Sequence, residues 1–166
     1  MNIECEISYA ADPVAVSAMT FDREFQSRKC RATGALDFTV DVVASATETV
    51  VRTTRDLPTN DFPDFVRSMV GDRLKVSEVD TWGSAGADGS RTGTVVVTVA
   101  STPIRFDGTL TLSPAARGAT ARLRGELKAG VPLFGGKIEQ AAAPAVTAAM
   151  SAEERTAAQW LAERPV

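Results

Sequence analysis

The amino-acid sequence predicts a single α+β domain in which a long C-terminal helix covers an antiparallel sheet. Three observations predict it. Apolar and polar residues alternate over most of residues 36–129, as they do in strands with one buried and one solvated face. A sustained helical pattern begins only after Gly130 and runs to about Arg164. The 166 residues suit one domain, spanning 1–166, that can bury a core without metal or disulfide bonds.

The N-terminal part predicts one strand followed by two short helices. Residues 3–10 alternate strictly and indicate a half-buried strand. Asp12 and Pro13 are typical of a helix start. The Asp side chain accepts hydrogen bonds from free N–H groups of the first turn, and proline at this position loses nothing, because a first-turn N–H group has no acceptor within the helix. A second helix is expected from Asp22 to about Arg31, ending before Gly34.

Six further strands are predicted after this N-terminal part, and the sheet is expected to contain about six or seven strands. They are predicted at residues 36–42, 48–57, 74–82, 94–100, 104–112 and 119–129. A short helix is predicted at 64–70, ended by Gly71, and a glycine-rich loop at 83–93. Gly108 and Gly125 fall on inward-facing positions, where a missing side chain permits strong curvature or a bulge.

The long helix contains a proline. Pro132 lies where a helix can begin, but Pro144 falls inside the apolar line of Ile138 and Val146. An interior proline removes one backbone hydrogen bond and costs about 3 kcal/mol if nothing compensates, so a single kinked helix is predicted. Ser151, three residues before Glu154, has capping-box spacing, and a break near residue 150 into two helices is the alternative.

Composition excludes several classes of function. The formal charge is −3 and the 18 Lys and Arg residues are scattered, which argues against nucleic-acid binding. The chain has no histidine, and this excludes Ser-His-Asp and Cys-His catalysis and imidazole metal sites. No metal and no cofactor is predicted.

Cysteine usage and hydropathy predict a cytoplasmic protein. Cys5 and Cys30 lack the spacing of redox or zinc motifs and are interpreted as free thiols. No apolar run approaches the roughly 20 residues of a membrane span, and the acidic N-terminus is unlike a signal peptide. No pattern in the sequence predicts an oligomeric state.

The order of elements resembles a known superfamily. One strand, two short helices, about six antiparallel strands and a long C-terminal helix resemble the helix-grip fold of the START-like (SRPBCC) superfamily, which includes polyketide cyclases and birch-pollen-allergen-like proteins. The run Val-Pro-Leu-Phe-Gly-Gly-Lys-Ile-Glu at 131–139 is similar to an uncharacterised bacterial branch of it. So are Asp-Thr-Trp-Gly at 80–83 and Asp-Gly-Ser-Arg-Thr-Gly at 88–93. The Arg-over-Lys, Ala-rich composition is consistent with an actinobacterial source.

The resemblance implies a curved sheet wrapped around the long helix, with a hydrophobic cavity between them that in relatives holds lipids, sterols, polyketides or hormones. A small hydrophobic ligand is therefore the expected partner. Expected binding residues are Phe134, Ile138, Ala142, Ala145 and Ala149 on the helix, Phe38, Trp82, Val97, Phe106, Leu110 and Leu123 on the sheet, and Phe65 and Met69 near the entrance. The small alanine side chains either leave this space open or let the helix pack closer and fill it.

Glu78 and Asp80 are the candidate catalytic residues. They share a strand face with Trp82. If that face is inward, desolvation would raise the pKa of both carboxyl groups and suit them to proton transfer; if the strand twists or bulges, both are solvated. Arg55 is expected to meet a ligand carboxylate or one of these two acids.

Tyr9 and Cys30 are weaker candidates. A buried tyrosine more often donates to a backbone group than it catalyses, and Cys30 is interpreted as an ordinary surface thiol despite the neighbouring basic residues. The leading hypothesis is a protein that binds or carries a hydrophobic ligand. The alternatives are a cavity enzyme of cyclase, dehydratase or hydrolase type that uses Glu78 or Asp80, and a packed-core protein-interaction module.

Overall fold

The computed structural model describes residues 1–164 and has seven strands in one antiparallel sheet. The strands are β1 (Asn2–Tyr9), β2 (Asp37–Ala44), β3 (Glu48–Pro58), β4 (Arg73–Gly83), β5 (Arg91–Val99), β6 (Ile104–Ala115) and β7 (Gly118–Ala129). Their order in the sheet is β1-β7-β6-β5-β4-β3-β2. Strands that follow one another from β2 to β7 are therefore paired, and β1 is added beside β7.

Four helices complete the fold: α1 (Pro13–Thr20), α2 (Arg23–Ala32), α3 (Asp64–Val70) and α4 (Gly135–Glu163). The first two connect β1 to β2, which lie at opposite edges of the sheet, so they carry the chain across it. Asp12 accepts a hydrogen bond from the Ala15 amide at 2.8 Å and Asp22 one from the Glu24 amide at 2.8 Å, as expected for N-caps. The α+β helix-grip fold is confirmed.

Two glycines meet in the sheet where Gly108 of β6 pairs with Gly125 of β7. The ring of Phe106 covers this pair: a Cβ on Gly125 would lie 2.5 Å from its Cζ atom and 2.5 Å from the Asp107 carbonyl oxygen. Only glycine therefore fits at position 125. The ring occupies the space that a side chain there would need.

The helix α4 is continuous from Gly135 to Glu163, with Pro144 inside it, so the alternative break near residue 150 is not observed. It begins at Gly135 rather than near Pro132, because Leu133 adopts a positive φ of 67° that stops a helix from starting earlier. Its fully buried residues are concentrated towards the C-terminal end: Ile138, Ala152, Thr156, Ala157 and Trp160. The ring of Trp160 packs edge to face on Phe25, with centroids 5.7 Å apart.

Two local predictions were wrong. β5 begins at Arg91 rather than residue 94, because Gly93 pairs with both Trp82 and Leu110 and belongs to the sheet, which shortens the predicted loop. Cys30 is not a surface thiol: its side chain lies on the buried face of α2, and this burial raises its pKa.

Candidate functional site

A cavity of about 670 Å³ lies between the sheet and α4. This volume is within the range of sites for small organic ligands. The sheet contributes apolar side chains from four neighbouring strands, among them Val76 of β4, Val97 of β5, Phe106 and Leu110 of β6 and Leu123 of β7.

The opposite wall is the part of α4 between Ile138 and Arg155. Ala141, Ala142, Ala145 and Ala149 line the cavity from successive turns, together with Pro144. Small side chains at these positions keep the helix from filling the space beneath it. The large side chains that anchor α4 come later in its sequence, at Trp160 in particular.

Nine of the predicted binding residues lie in the cavity wall: Trp82, Val97, Phe106, Leu110, Leu123, Ile138, Ala142, Ala145 and Ala149. The other four predicted residues do not. Phe38 is on the edge strand β2, where the Arg31 guanidinium covers its ring at 5.3 Å. Phe134 precedes the first turn of α4 and is 52% exposed.

Phe65 and Met69 also lie outside the cavity wall, because α3 presents a different face to it. The lining residues of this segment are Phe62, which precedes the helix, and Val66 and Val70, which are four positions apart and so share one side of α3. Phe65 and Met69 are 46% and 38% exposed. The sequence pattern indicated the right segment and the wrong face.

One part of the cavity wall is charged. Lys29 of α2 places its Nζ 3.0 Å from Oε1 of Glu78 and 3.4 Å from Oε2 of Glu153 on α4. Arg55 of β3 donates to the second oxygen of Glu78. The hydroxyl of Tyr9 donates to Oε1 of Glu153 at 3.3 Å, so this tyrosine bonds a side chain and not the backbone group that was expected.

Lys29 and Glu153 were not among the predicted site residues. Both lie on faces of their helices that otherwise carry apolar residues: Lys29 follows Phe25 by four positions, and Glu153 precedes Ala157 by four. A charged residue on a buried helix face needs a partner of opposite charge. The occurrence of one lysine and one glutamate on two such faces is therefore the sequence signal from which this ion pair could have been predicted.

Glu78 is held as a carboxylate. Burial alone would raise its pKa, but the adjacent Lys29 and Arg55 outweigh this effect and lower the pKa to about 2. Burial alone would likewise lower the pKa of Lys29, but the negative charges of Glu153 and Glu78 outweigh it and raise that pKa. A carboxylate that is paired with two cations is a weak base, so Glu78 is poorly suited to accept a proton.

Asp80 is in the opposite situation. It lies on the same inward face of β4, is 7% exposed, and its Oδ1 has no hydrogen-bond partner within residues 1–164. Burial, and after it the negative charge of Glu78, raises the pKa of Asp80 well above its ordinary value. Asp80 therefore keeps its proton to a higher pH than an exposed aspartate.

Two further polar atoms of the cavity-lining residues are also unpartnered in the described chain. They are Nε1 of Trp82 and Nε of Arg55, in side chains that are 7% and 5% exposed. Buried polar atoms usually have partners, and an unpaired one costs about 1–3 kcal/mol. One end of an otherwise apolar cavity therefore offers unused hydrogen-bonding capacity.

Other kinds of site have less support. Residues 1–164 bring together no group of three or more Cys, Asp and Glu side chains that could hold a metal ion. In the same part of the chain, no helix has the length and apolar character that a membrane crossing requires.

Comparison with protein families shows the family of this chain. The family described as "Protein of unknown function (DUF2505)" matches residues 4–161. The chain belongs to the DUF2505 family. No curated protein matches this DUF2505 chain.

Solved structures with the same fold cover nearly all of the DUF2505 chain. TTHA0849 from Thermus thermophilus has a TM-score of 0.62 at 16% identity, with 99% of each chain covered. A STAR-related lipid transfer protein from Xanthomonas axonopodis has a TM-score of 0.57 at 15% identity, covering 93% of this chain and 84% of that one.

A third similar structure is the di-domain ARO/CYC protein StfQ from the steffimycin biosynthetic pathway. The TM-score is 0.64 at 11% identity, and 98% of the DUF2505 chain matches 51% of StfQ, so it spans about half of that protein. At these identities the likeness concerns the fold alone. The chain therefore shares the helix-grip fold of these structures, while its START-like relationship and its actinobacterial source stay predictions.

Proposed function

We propose that this protein binds or carries a small hydrophobic ligand in the cavity between the sheet and α4. The observation that supports this most is the cavity of about 670 Å³, whose wall is mostly apolar on the sheet side and rich in alanine on the helix side. A filled core would need larger side chains at Ala142, Ala145 and Ala149. Lipid-like, sterol-like and polyketide-like molecules fit this volume and apolar character.

The comparisons add support of a general kind. One protein of the same fold is named for lipid transfer and another is an ARO/CYC protein of a biosynthetic pathway. Both names are compatible with a cavity for a largely apolar molecule. The ligand of the present chain is a separate question, which its own cavity residues decide.

The first experiment is mass spectrometry of the purified protein under native and denaturing conditions. We expect a stoichiometric small molecule that leaves on unfolding. The cavity-filling variants Ala145→Trp and Leu110→Trp should lose it, because each places a large ring in the lined space.

Matched controls are available on the same two elements. Ala158 on α4 and Thr111 on β6 are exposed and outside the cavity wall, so Ala158→Trp and Thr111→Trp should keep the ligand. Equal retention in all four variants would overturn the proposal. It would favour the interaction module with an external partner.

A second candidate function is a cavity enzyme, and it is favoured by the buried, unpartnered carboxyl group of Asp80 in the cavity wall, whose pKa burial raises. A buried carboxyl group with a raised pKa can donate a proton to a substrate oxygen, as cyclisation and dehydration require. Glu78 would hold Lys29 and Arg55 in place rather than accept a proton.

The enzyme hypothesis is tested with the molecule that mass spectrometry identifies. Its incubation with the protein should give a product that differs by loss of water or by ring closure. Asp80→Asn should abolish this conversion while binding of the molecule persists. Full conversion by the Glu78→Gln, Asp80→Asn double variant would eliminate both carboxyl groups from the chemistry.

A further inference from the structure

The polar end of the cavity, formed by Asp80 and Trp82 with the neighbouring ion pairs, indicates which kind of ligand the cavity can bind. Asp80 and Trp82 are successive inward residues of β4, about 6.6 Å apart along the strand, and both line the cavity. Each has a buried polar atom without a partner among the described residues, Oδ1 of Asp80 and Nε1 of Trp82. A ligand that satisfied both atoms would remove their desolvation cost.

The indole of Trp82 is held in a fixed position. Its ring lies over Gly93 of β5, where an added Cβ would be 3.2 Å from the Cε3 atom of Trp82. The other side of the residue belongs to the core that includes Tyr9, Met19 and Leu112. The Nε1 donor is therefore part of a rigid wall and not of a mobile surface side chain.

The charges next to these two residues are already balanced. Lys29 and Arg55 are the two cations of the cavity wall near Asp80, and Glu78 and Glu153 pair with them. Arg122 and Arg155 also line the cavity, but both are exposed, and neither forms an ion pair with Glu78, Asp80 or Glu153 among residues 1–164. The two buried cations beside Asp80 are therefore both paired already. Burying such an anion beside this cluster would leave one charge without a partner, which is costly in a largely apolar cavity.

A cationic ligand is also a poor match. An ammonium group could pair with an ionised Asp80, but it has no acceptor for the Trp82 N–H group. The Nε of Arg55 also lacks an acceptor among residues 1–164. Hydroxyl and carbonyl oxygens can accept from these donors, and a hydroxyl group can in addition donate to Oδ1 of Asp80.

We infer that the cavity binds its ligand with an uncharged oxygen-bearing group, a hydroxyl or carbonyl, placed between Asp80 and Trp82. This inference rests on the proposed function, since it assigns the head group of the ligand that the cavity holds. It excludes free fatty acids and amines as preferred ligands. It favours alcohols, ketones and hydroxylated rings.

The test is displacement of the neutral fluorescent probe N-phenyl-1-naphthylamine by ligands with the same chain and different heads. The competitors are dodecane, dodecanol, 2-dodecanone, dodecanoate and dodecylammonium. We expect dodecanol and 2-dodecanone to bind about tenfold more tightly than either charged compound, the effect of one or two hydrogen bonds together with the cost of an unpaired charge.

Three variants test whether Asp80 and Trp82 cause the preference for uncharged oxygen-bearing head groups. Trp82→Phe and Asp80→Leu should reduce it, and Asp80→Asn should reduce it less than Asp80→Leu, because an amide still offers a donor and an acceptor. The control is Trp160→Phe, which removes a buried indole that does not line the cavity and should leave the preference intact. Circular dichroism confirms that each variant is folded before titration.

The outcomes separate this inference from the proposed function. Tightest binding of dodecanoate or of dodecylammonium would overturn the inference and leave the cavity as a ligand site. Equal affinities for all five compounds, unchanged in the variants, would do the same. Absence of probe binding, and of displacement by any competitor, would overturn the proposed function itself.

Discussion

Lys29 and Glu78, 49 positions apart in the sequence, form a buried ion pair that joins α2 to β4, with Nζ 3.0 Å from Oε1. The Lys29 side chain is 6% exposed and that of Glu78 is 16% exposed. Because the lysine also contacts Glu153 at 3.4 Å, it connects α2, the sheet and α4 at one point. The polar end of the cavity is organised around it.

Lys29→Met should destabilise the protein by about 3–5 kcal/mol, the usual cost of removing one partner of a buried ion pair. Glu78 would keep Arg55, but Glu153 would lose its only cationic partner in the described chain. Urea unfolding measures the change. The control Arg23→Met removes a largely exposed partner of Asp41 and should change the free energy of unfolding little. Equal effects of the two substitutions would contradict a structural role for Lys29.

Acid should weaken the fold through Glu78. Its pKa is about 2 in the folded protein and 4.5 for the free side chain, so its contribution to stability is present above 4.5 and is lost as the pH falls towards 2. Glu78→Gln should be less stable than the parent at neutral pH, and the difference should shrink in acid. Unfolding curves at several pH values measure it. A difference that is independent of pH would rule out the paired carboxylate.

A rise in pH should act through Asp80 with the opposite sign. Its pKa is raised from 3.8, so the stability gained by holding the proton is complete below 3.8 and is lost as the pH rises through the raised value. Glu78, Glu153, Lys29, Arg55 and Tyr9 are the ionisable groups around it. Asp80→Asn cannot ionise, so its stability relative to the parent should increase with pH. Parallel pH profiles for the two proteins would show that Asp80 has an ordinary pKa.

Gly125→Ala should destabilise the protein by about 1–3 kcal/mol and weaken ligand binding. The added Cβ would meet the Asp107 carbonyl oxygen and Cζ of Phe106, both at 2.5 Å, and relief of the second contact moves the Phe106 ring into the cavity. Thermal unfolding and probe titration measure the two effects. Gly136→Ala is the control: its Cβ meets nothing within 4 Å, and alanine in a helix is about 1 kcal/mol more favourable than glycine. Destabilisation by Gly136→Ala alone would contradict this account.

The alternation of apolar and polar residues was enough to predict all seven strands, because one face of this sheet is solvated and the other is buried. The long helix was predictable for a related reason, since its apolar residues recur at helical spacing. Errors appeared where two faces carry similar residues. On α3 both the pair Phe65 and Met69 and the pair Val66 and Val70 have helical spacing, and only tertiary packing selects the second.

The polar end of the cavity was predictable only in part. Alternation placed Glu78, Asp80 and Trp82 on one face, and the structure places all three in the cavity wall. It gave no information about Lys29 and Glu153, which come from two helices distant in the sequence. The opposite ionisation of the two acids follows from those partners: within residues 1–164, Glu78 has cations on both oxygens, and Asp80 has none within hydrogen-bonding distance.

Pro144 has a consequence for how a ligand would exchange. Without an N–H group at 144, the Gln140 carbonyl lacks its usual helical donor, and the helix is weakest over the cavity. The C-terminal part is anchored by Ala152, Ala157 and Trp160. We therefore expect α4 to act as a hinged cover whose N-terminal arm lifts while its other arm and the sheet stay in place. Exchange rates would then depend on backbone stiffness at one residue, and Pro144→Ala, which replaces one apolar residue of the cavity wall by another, should slow probe release.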